Sequence, residues 1–94
     1  MKIHFNDVQV LEKELRVPLI TPELEVLGYL YLNGPTPSQV LQAQARTSPA
    51  GFQILKKRLV LNGVIAGSKS DEDQRVKLYD LSQQVRDIIE RFQR

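Results

Sequence analysis

Residues Ser48 to Ser82, SPAGFQILKKRLVLNGVIAGSKSDEDQRVKLYDLS, decide how the chain reads. Ser48 is placed to cap a helix, and Pro49 stands at its first position, where a missing N–H costs nothing. Phe52, Leu55, Leu59 and Asn62 recur at helical spacing on one side, with Lys56 near its edge. Asn62-Gly63 then stops the helix, because glycine accepts the left-handed conformation that closes a C-cap. Val64 and Ile65 begin a strand, and Val76, Leu78 and Leu81 mark a second strand returning. The tip between them, SKSDEDQR, holds charge and no apolar residue, so it belongs in water.

Immediately upstream, Thr36-Pro37-Ser38-Gln39 reads as a capping box that opens a short helix over Pro37 to Ala45. Val40 and Leu41 are expected to point inward, Gln42 and Gln44 outward. Only Arg46-Thr47 separates this helix from Ser48, which makes a helix-turn-helix. With the hairpin behind it, the fold class is mainly α with a small β-hairpin wing, a winged helix-turn-helix. Its recognition helix covers about 48–62 and its wing 66–78.

Before this unit, Thr21-Pro22 opens a helix with the apolar stripe Leu24, Leu27, Leu30 and Tyr31, and Asn33-Gly34-Pro35 closes it. Glu23 and Glu25 lie in its first turn, where the helix dipole favours negative charge. An earlier helix carries Val8, Leu11 and Leu15, capped by Asn6 or Asp7 and finished by Arg16-Val17-Pro18. After the hairpin, a last helix from Ser82 carries Val85, Ile88, Ile89 and Phe92 as a narrow apolar seam. That seam either closes the core or forms a dimer interface with the Val8–Leu11–Leu15 stripe. The chain of 94 residues, 41% apolar, is expected to form a single domain: an N-terminal helix (1–18), a winged-helix core (19–81) and a C-terminal helix (82–94).

Charge is unevenly spread. Residues 46–77 hold seven basic side chains (Arg46, Lys56, Lys57, Arg58, Lys69, Arg75, Lys77) and three acidic ones, a surplus of four. The rest of the chain is net negative by two. A basic face on a near-neutral body suits phosphate binding. With Phe52, Leu55 and Leu59 inward, Ala50, Gln53, Ile54, Lys57 and Leu61 face outward, Gly51 stands at the start and Arg58 at the flank. A helix fits the major groove, where the Gln53 amide matches adenine and Lys57 matches guanine or phosphate. Arg58 and Lys56 suit the backbone, and Ser38, Gln39, Thr47 and Ser48 stand at helix starts, which suit phosphates.

No cysteine is present, so disulfides, thiolate zinc sites and cysteine nucleophiles are excluded. His4 is the only histidine, and no triad, phosphate loop or acidic metal cage is legible, which reads as no enzyme and no cofactor. No run approaches a membrane span and Met1–Phe5 is too polar for a signal peptide, so a cytoplasmic protein is expected.

The ordered set Ser48-Pro49, Leu55, Arg58-Leu59, Gly63, Ile65, Asp73, Arg75, Lys77, Leu78, Leu81 and Ser82 resembles the MarR family of winged-helix transcriptional regulators. The likeness extends back to Leu19 and covers about three-quarters of the chain. It implies a regulator that binds double-stranded DNA as a homodimer through its terminal helices, and it specifies no small-molecule effector. In the family an arginine at the hairpin enters the minor groove, held by an aspartate two positions earlier; Asp73 and Arg75 match that pair, with Lys69 and Lys77 alongside. The chain departs from the family in three ways. Its terminal helices are shorter, so a dimer is expected to be smaller or built differently; Ile54 and Leu61 are apolar where polar residues are usual; and Gly51 replaces a contacting side chain. The alternative is a winged-helix module that binds another protein through Ile54, Leu61 and the terminal seam.

Overall fold

Eight elements follow one another in the computed structural model, which describes residues 5–92 and the side chains of 7–91. They are α1 (Phe5–Leu15), α2 (Pro22–Asn33), β1 (Thr36–Pro37), α3 (Ser38–Ala45), α4 (Pro49–Leu61), β2 (Ile65–Lys69), β3 (Lys77–Leu81) and α5 (Gln83–Phe92). The strands form one antiparallel sheet in the order β1-β3-β2. This is the winged helix-turn-helix architecture. No described helix is long and apolar enough to cross a membrane.

Local chemistry sets the ends of α4. The Ser48 hydroxyl accepts from the Gly51 N–H at 3.0 Å, satisfying a donor that the first helical turn leaves orphaned. At the other end Gly63 takes φ 72°, and the Gly63 and Val64 amides donate to the Val60 and Leu59 carbonyls. This paired closure turns the chain directly into β2. Between these ends Phe52, Leu55 and Leu59 are buried, and they meet Val26, Leu30, Leu41, Ala45, Ile65, Tyr79 and Leu81 in one core. Each fully buried large side chain there contributes about 1.5–3 kcal/mol relative to exposure.

Several elements differ from the sequence reading. Thr36 and Pro37 do not open the helix; they pair with Tyr79 and Leu78 as a third strand, and α3 starts at Ser38 without a side-chain cap. The Thr36 hydroxyl donates instead to the Gly34 carbonyl at 2.8 Å. Val40 is exposed, and Leu41 with Ala45 forms the buried face of α3. In α2 the core line is Val26 and Leu30 with Leu27 beside it, while Leu24 is exposed. In β3 the buried residues are Tyr79 and Leu81, as strand alternation requires, so Tyr79 belongs to the core that the Val76–Leu78–Leu81 reading left without it.

The termini differ in their caps and in which residues they bury. Asn6 and Asp7 lie inside α1, so neither caps it, and the helix ends where Arg16 adopts φ 55°. The face that α1 turns to the body is led by buried Glu12, whereas Leu11 and Leu15 are exposed and Val8 is half-buried. At the other terminus the Ser82 hydroxyl accepts from the Val85 N–H, and Val85 and Ile89 pack on the core while Ile88 is half-buried. The Phe92 side chain lies outside the described residues, as does His4. Arg86 secures α5, donating to Asp80 Oδ1 at 3.0 Å and to the Leu30 and Tyr31 carbonyls that end α2.

Candidate nucleic-acid interface

Ala50, Gln53, Ile54, Lys57, Arg58 and Leu61 are all exposed on α4, and the helix contains no carboxylate. Arg58 reaches Glu23 of α2 at 3.7 Å, a loose surface pair. Gly51 sits against the hydroxyls that precede the helix. A Cβ built there lies 2.7 Å from Thr47 Oγ1 and 3.1 Å from Ser48 Oγ, so a side chain would crowd the cap. Thr47 is half-buried and Ser48 exposed.

At the start of α3, Gln39 is exposed and Ser38 is half-buried, its hydroxyl accepting from Lys56 Nζ at 3.2 Å. The Lys56 ammonium also stands 5.1 Å from the Tyr79 ring centroid and 5.8 Å from that of Phe52. Such cation–π contacts strengthen as water is excluded. Lys56 therefore braces α4 against α3 and β3, a role distinct from that of its neighbour Lys57.

The wing is built on the β2–β3 register, which sets Gly67 opposite Tyr79 and Lys69 opposite Lys77. Two like charges directly opposed across a ladder disfavour the hairpin by themselves. Beyond them the loop closes through the Ser70 N–H to the Val76 carbonyl and the Val76 N–H to the Asp73 carbonyl, both 2.9 Å. Asp73 accepts from the Arg75 N–H at 3.0 Å, from its Nε at 3.2 Å and from its Nη2 at 3.4 Å. The Arg75 amide first, and its guanidinium second, hold the Asp73 carboxyl below the ordinary carboxylate range. Arg75 itself is 91% exposed, oriented at its base and open at its tip. Lys77 extends over Tyr79, its Nζ 5.5 Å from the ring centroid.

One expected member of the basic face is engaged elsewhere. Arg46, counted with that face from sequence, donates to Glu12 Oε1 at 2.9 Å and pairs with Glu25, both carboxylates being buried. Glu12 Oε2 accepts the Leu19 and Ile20 amides at 2.6 and 2.7 Å. The Ile20 amide leads in holding the Glu12 carboxyl below its usual range, against the opposing cost of burial, and the Leu19 amide and Arg46 add to it. Arg46 closes α3 at φ 54°, and Arg16 closes α1 at φ 55°; both line an open groove of about 460 Å³ beside Glu12 and Glu25. Sequence reasoning missed this cluster because nothing in spacing links residues 12, 25 and 46. A helix that ends without a glycine was the available signal.

The fold and the exposed helix define a winged-helix protein with a basic, carboxylate-free α4 and a basic hairpin. No family model matches the sequence, and no curated protein does. Solved structures do match. A transcriptional regulator from Thermotoga maritima superposes with TM-score 0.65 at 21% identity, covering 87% of this chain and 56% of its own. A MarR family transcriptional regulator from Silicibacter pomeroyi gives 0.69 at 20%, covering 94% and 58%. The adhesin competence repressor from Streptococcus pyogenes gives 0.64 at 22%, covering 94% and 66%. The chain has the fold of the MarR-type winged-helix regulators, and it spans just over half the length of the first of these proteins.

Proposed function

We propose that this chain is a DNA-binding transcriptional regulator of the MarR type that acts as a homodimer on duplex DNA. The observation that carries the reading is the exposed face of α4, where Lys57 and Arg58 stand with Gln53 and no acidic residue. In this reading α4 enters the major groove, Gln53 and Lys57 meet base edges, and Ala50 and Gly51 let the backbone approach. Ser38, Gln39, Thr47 and Ser48 meet phosphates, and Arg58 does so from the flank. The wing adds Lys69 and Lys77, whose mutual repulsion a phosphate would relieve, and Arg75, aimed by Asp73 at a narrow minor groove. Asp71 and Glu72, both exposed at the tip, oppose that approach and limit its strength.

Dimerisation is supported by the apolar side chains that α1 leaves in water, Val10, Leu11 and Leu15, with Val17 and Leu19 following. Val8 and Ile88 are half-buried and border the same reading; Val85 and Ile89 are already committed to the core of their own chain.

The test is fluorescence anisotropy with a random-sequence duplex at several salt concentrations. Binding that falls steeply with salt, and is lost in Lys57→Glu and weakened in Arg75→Ala, bears the reading out. No binding at low salt overturns it and turns attention to a protein partner for Ile54 and Leu61.

A further inference from the structure

The outermost line of α4 is Ala50, Ile54, Lys57 and Leu61, at i, i+4, i+7 and i+11, opposite the buried Phe52, Leu55 and Leu59. An isoleucine thus stands on the outward line of the helix's first half, 63% exposed. It belongs to no hydrophobic core. Its neighbours on the exposed surface are Gln53 before it and Lys57 and Arg58 one turn on, and α4 carries no acidic residue, so the surface beside Ile54 is complementary to a polyanion.

We infer that Ile54, with Ala50 one turn before it, reads thymine C5-methyl groups on the floor of the major groove. The inference rests on the duplex-DNA reading and adds which base edges the helix selects. The thymine methyl is the apolar feature of that groove, and the N-terminal half of a recognition helix is the part that reaches it. Ile54 is β-branched, so its side chain is held stiff at χ1 and loses little freedom on contact. Leu61 lies about 10 Å further along the helix axis, beyond the half that enters the groove, and takes no part.

The experiment selects duplexes from a random pool with the full chain, then replaces each thymine of a selected duplex by deoxyuridine, which deletes only the methyl. Wild-type affinity is expected to fall about fourfold at one or two positions, the effect of one buried methyl-sized group, and to hold at the others. Ile54→Ser, with an unchanged melting temperature, is expected to lose the discrimination between thymine and deoxyuridine at one of those positions. Duplexes that bind the wild type equally well with deoxyuridine at every position overturn the inference while leaving DNA binding in place. That arm uses only wild-type protein and does not depend on how the variant folds. A pool from which no duplex is retained at low salt refutes DNA binding itself, and the inference with it.

Discussion

Lys56 and Lys57 are adjacent, identical in charge and indistinguishable by composition, yet the structure gives them different surroundings. Lys56 Nζ is held by Ser38 Oγ and the faces of Phe52 and Tyr79; Lys57 stands in water on the outer line of α4. Each phosphate-neutralising cation contributes about 0.9 to the slope of log affinity against log salt. Counting every basic residue between 46 and 77 would give a slope of about −6.3 per protomer. Removing Arg46, tied to Glu12 and Glu25, and Lys56 leaves Lys57, Arg58, Lys69, Arg75 and Lys77, and an upper limit of about −4.5 per protomer. Fluorescence anisotropy between 50 and 200 mM salt should therefore show Lys57→Met reducing the slope by about 0.9 per protomer and Lys56→Met leaving it unchanged. Methionine keeps the length and the packing of the stem, so both variants should fold. Equal loss of slope in the two variants would refute the assignment, because it would place the Lys56 ammonium on a phosphate.

Four further outcomes follow from the geometry. Ser48→Ala removes the acceptor for the Gly51 amide and should cost about 1 kcal/mol, a drop of roughly 4–8 °C in melting temperature by circular dichroism. Gly51→Ala forces the Thr47 hydroxyl, 2.7 Å from the added methyl, to move, and that cost should offset the roughly 0.5–1 kcal/mol that alanine otherwise gains over glycine in a helix; a melting temperature raised by that full amount would show that the hydroxyl moves freely. For Glu12 the folded carboxyl is held below its unfolded value, so its contribution to stability is complete above the unfolded pKa and disappears as pH falls through the folded one. Acid titration of the denaturant midpoint should be shallower in Glu12→Gln than in the wild type; identical acid limbs would show that Glu12 carries no such linkage. Leu11→Glu with Leu15→Glu, both on exposed positions of α1, should leave the fold intact and shift sedimentation to the monomer. A sedimentation coefficient equal to that of the wild type would remove α1 from the interface.

Much of this chain was legible because its signals are local. Ser48-Pro49 and Thr21-Pro22 start helices as expected, with hydroxyl caps on Gly51 and Leu24, and Gly34 and Gly63 end them at positive φ. The inward line of α4 likewise follows a helical period and the hairpin joins strands adjacent in sequence, while the Asp73–Arg75 pair came from the family resemblance and is present in the wing. The caps are short-range hydrogen bonds and the inward line a helical period, so the order of residues suffices to specify them.

What only the tertiary structure decided are contacts between residues far apart in the chain. Thr36-Pro37 carries a sound capping pattern, but pairing with Tyr79 and Leu78 gives its backbone another set of partners and moves the helix start to Ser38. The apolar stripe of α1 is legible in the sequence, but the burial of Glu12 on that helix is not: the Leu19 and Ile20 amides and Arg46 together satisfy a carboxylate that burial would otherwise penalise. The same pairing withdraws Arg46 from the basic face, as Ser38 and two aromatic rings withdraw Lys56. Sequence fixes which groups carry charge; which of those charges remain in water for a ligand depends on partners that only folding brings within reach.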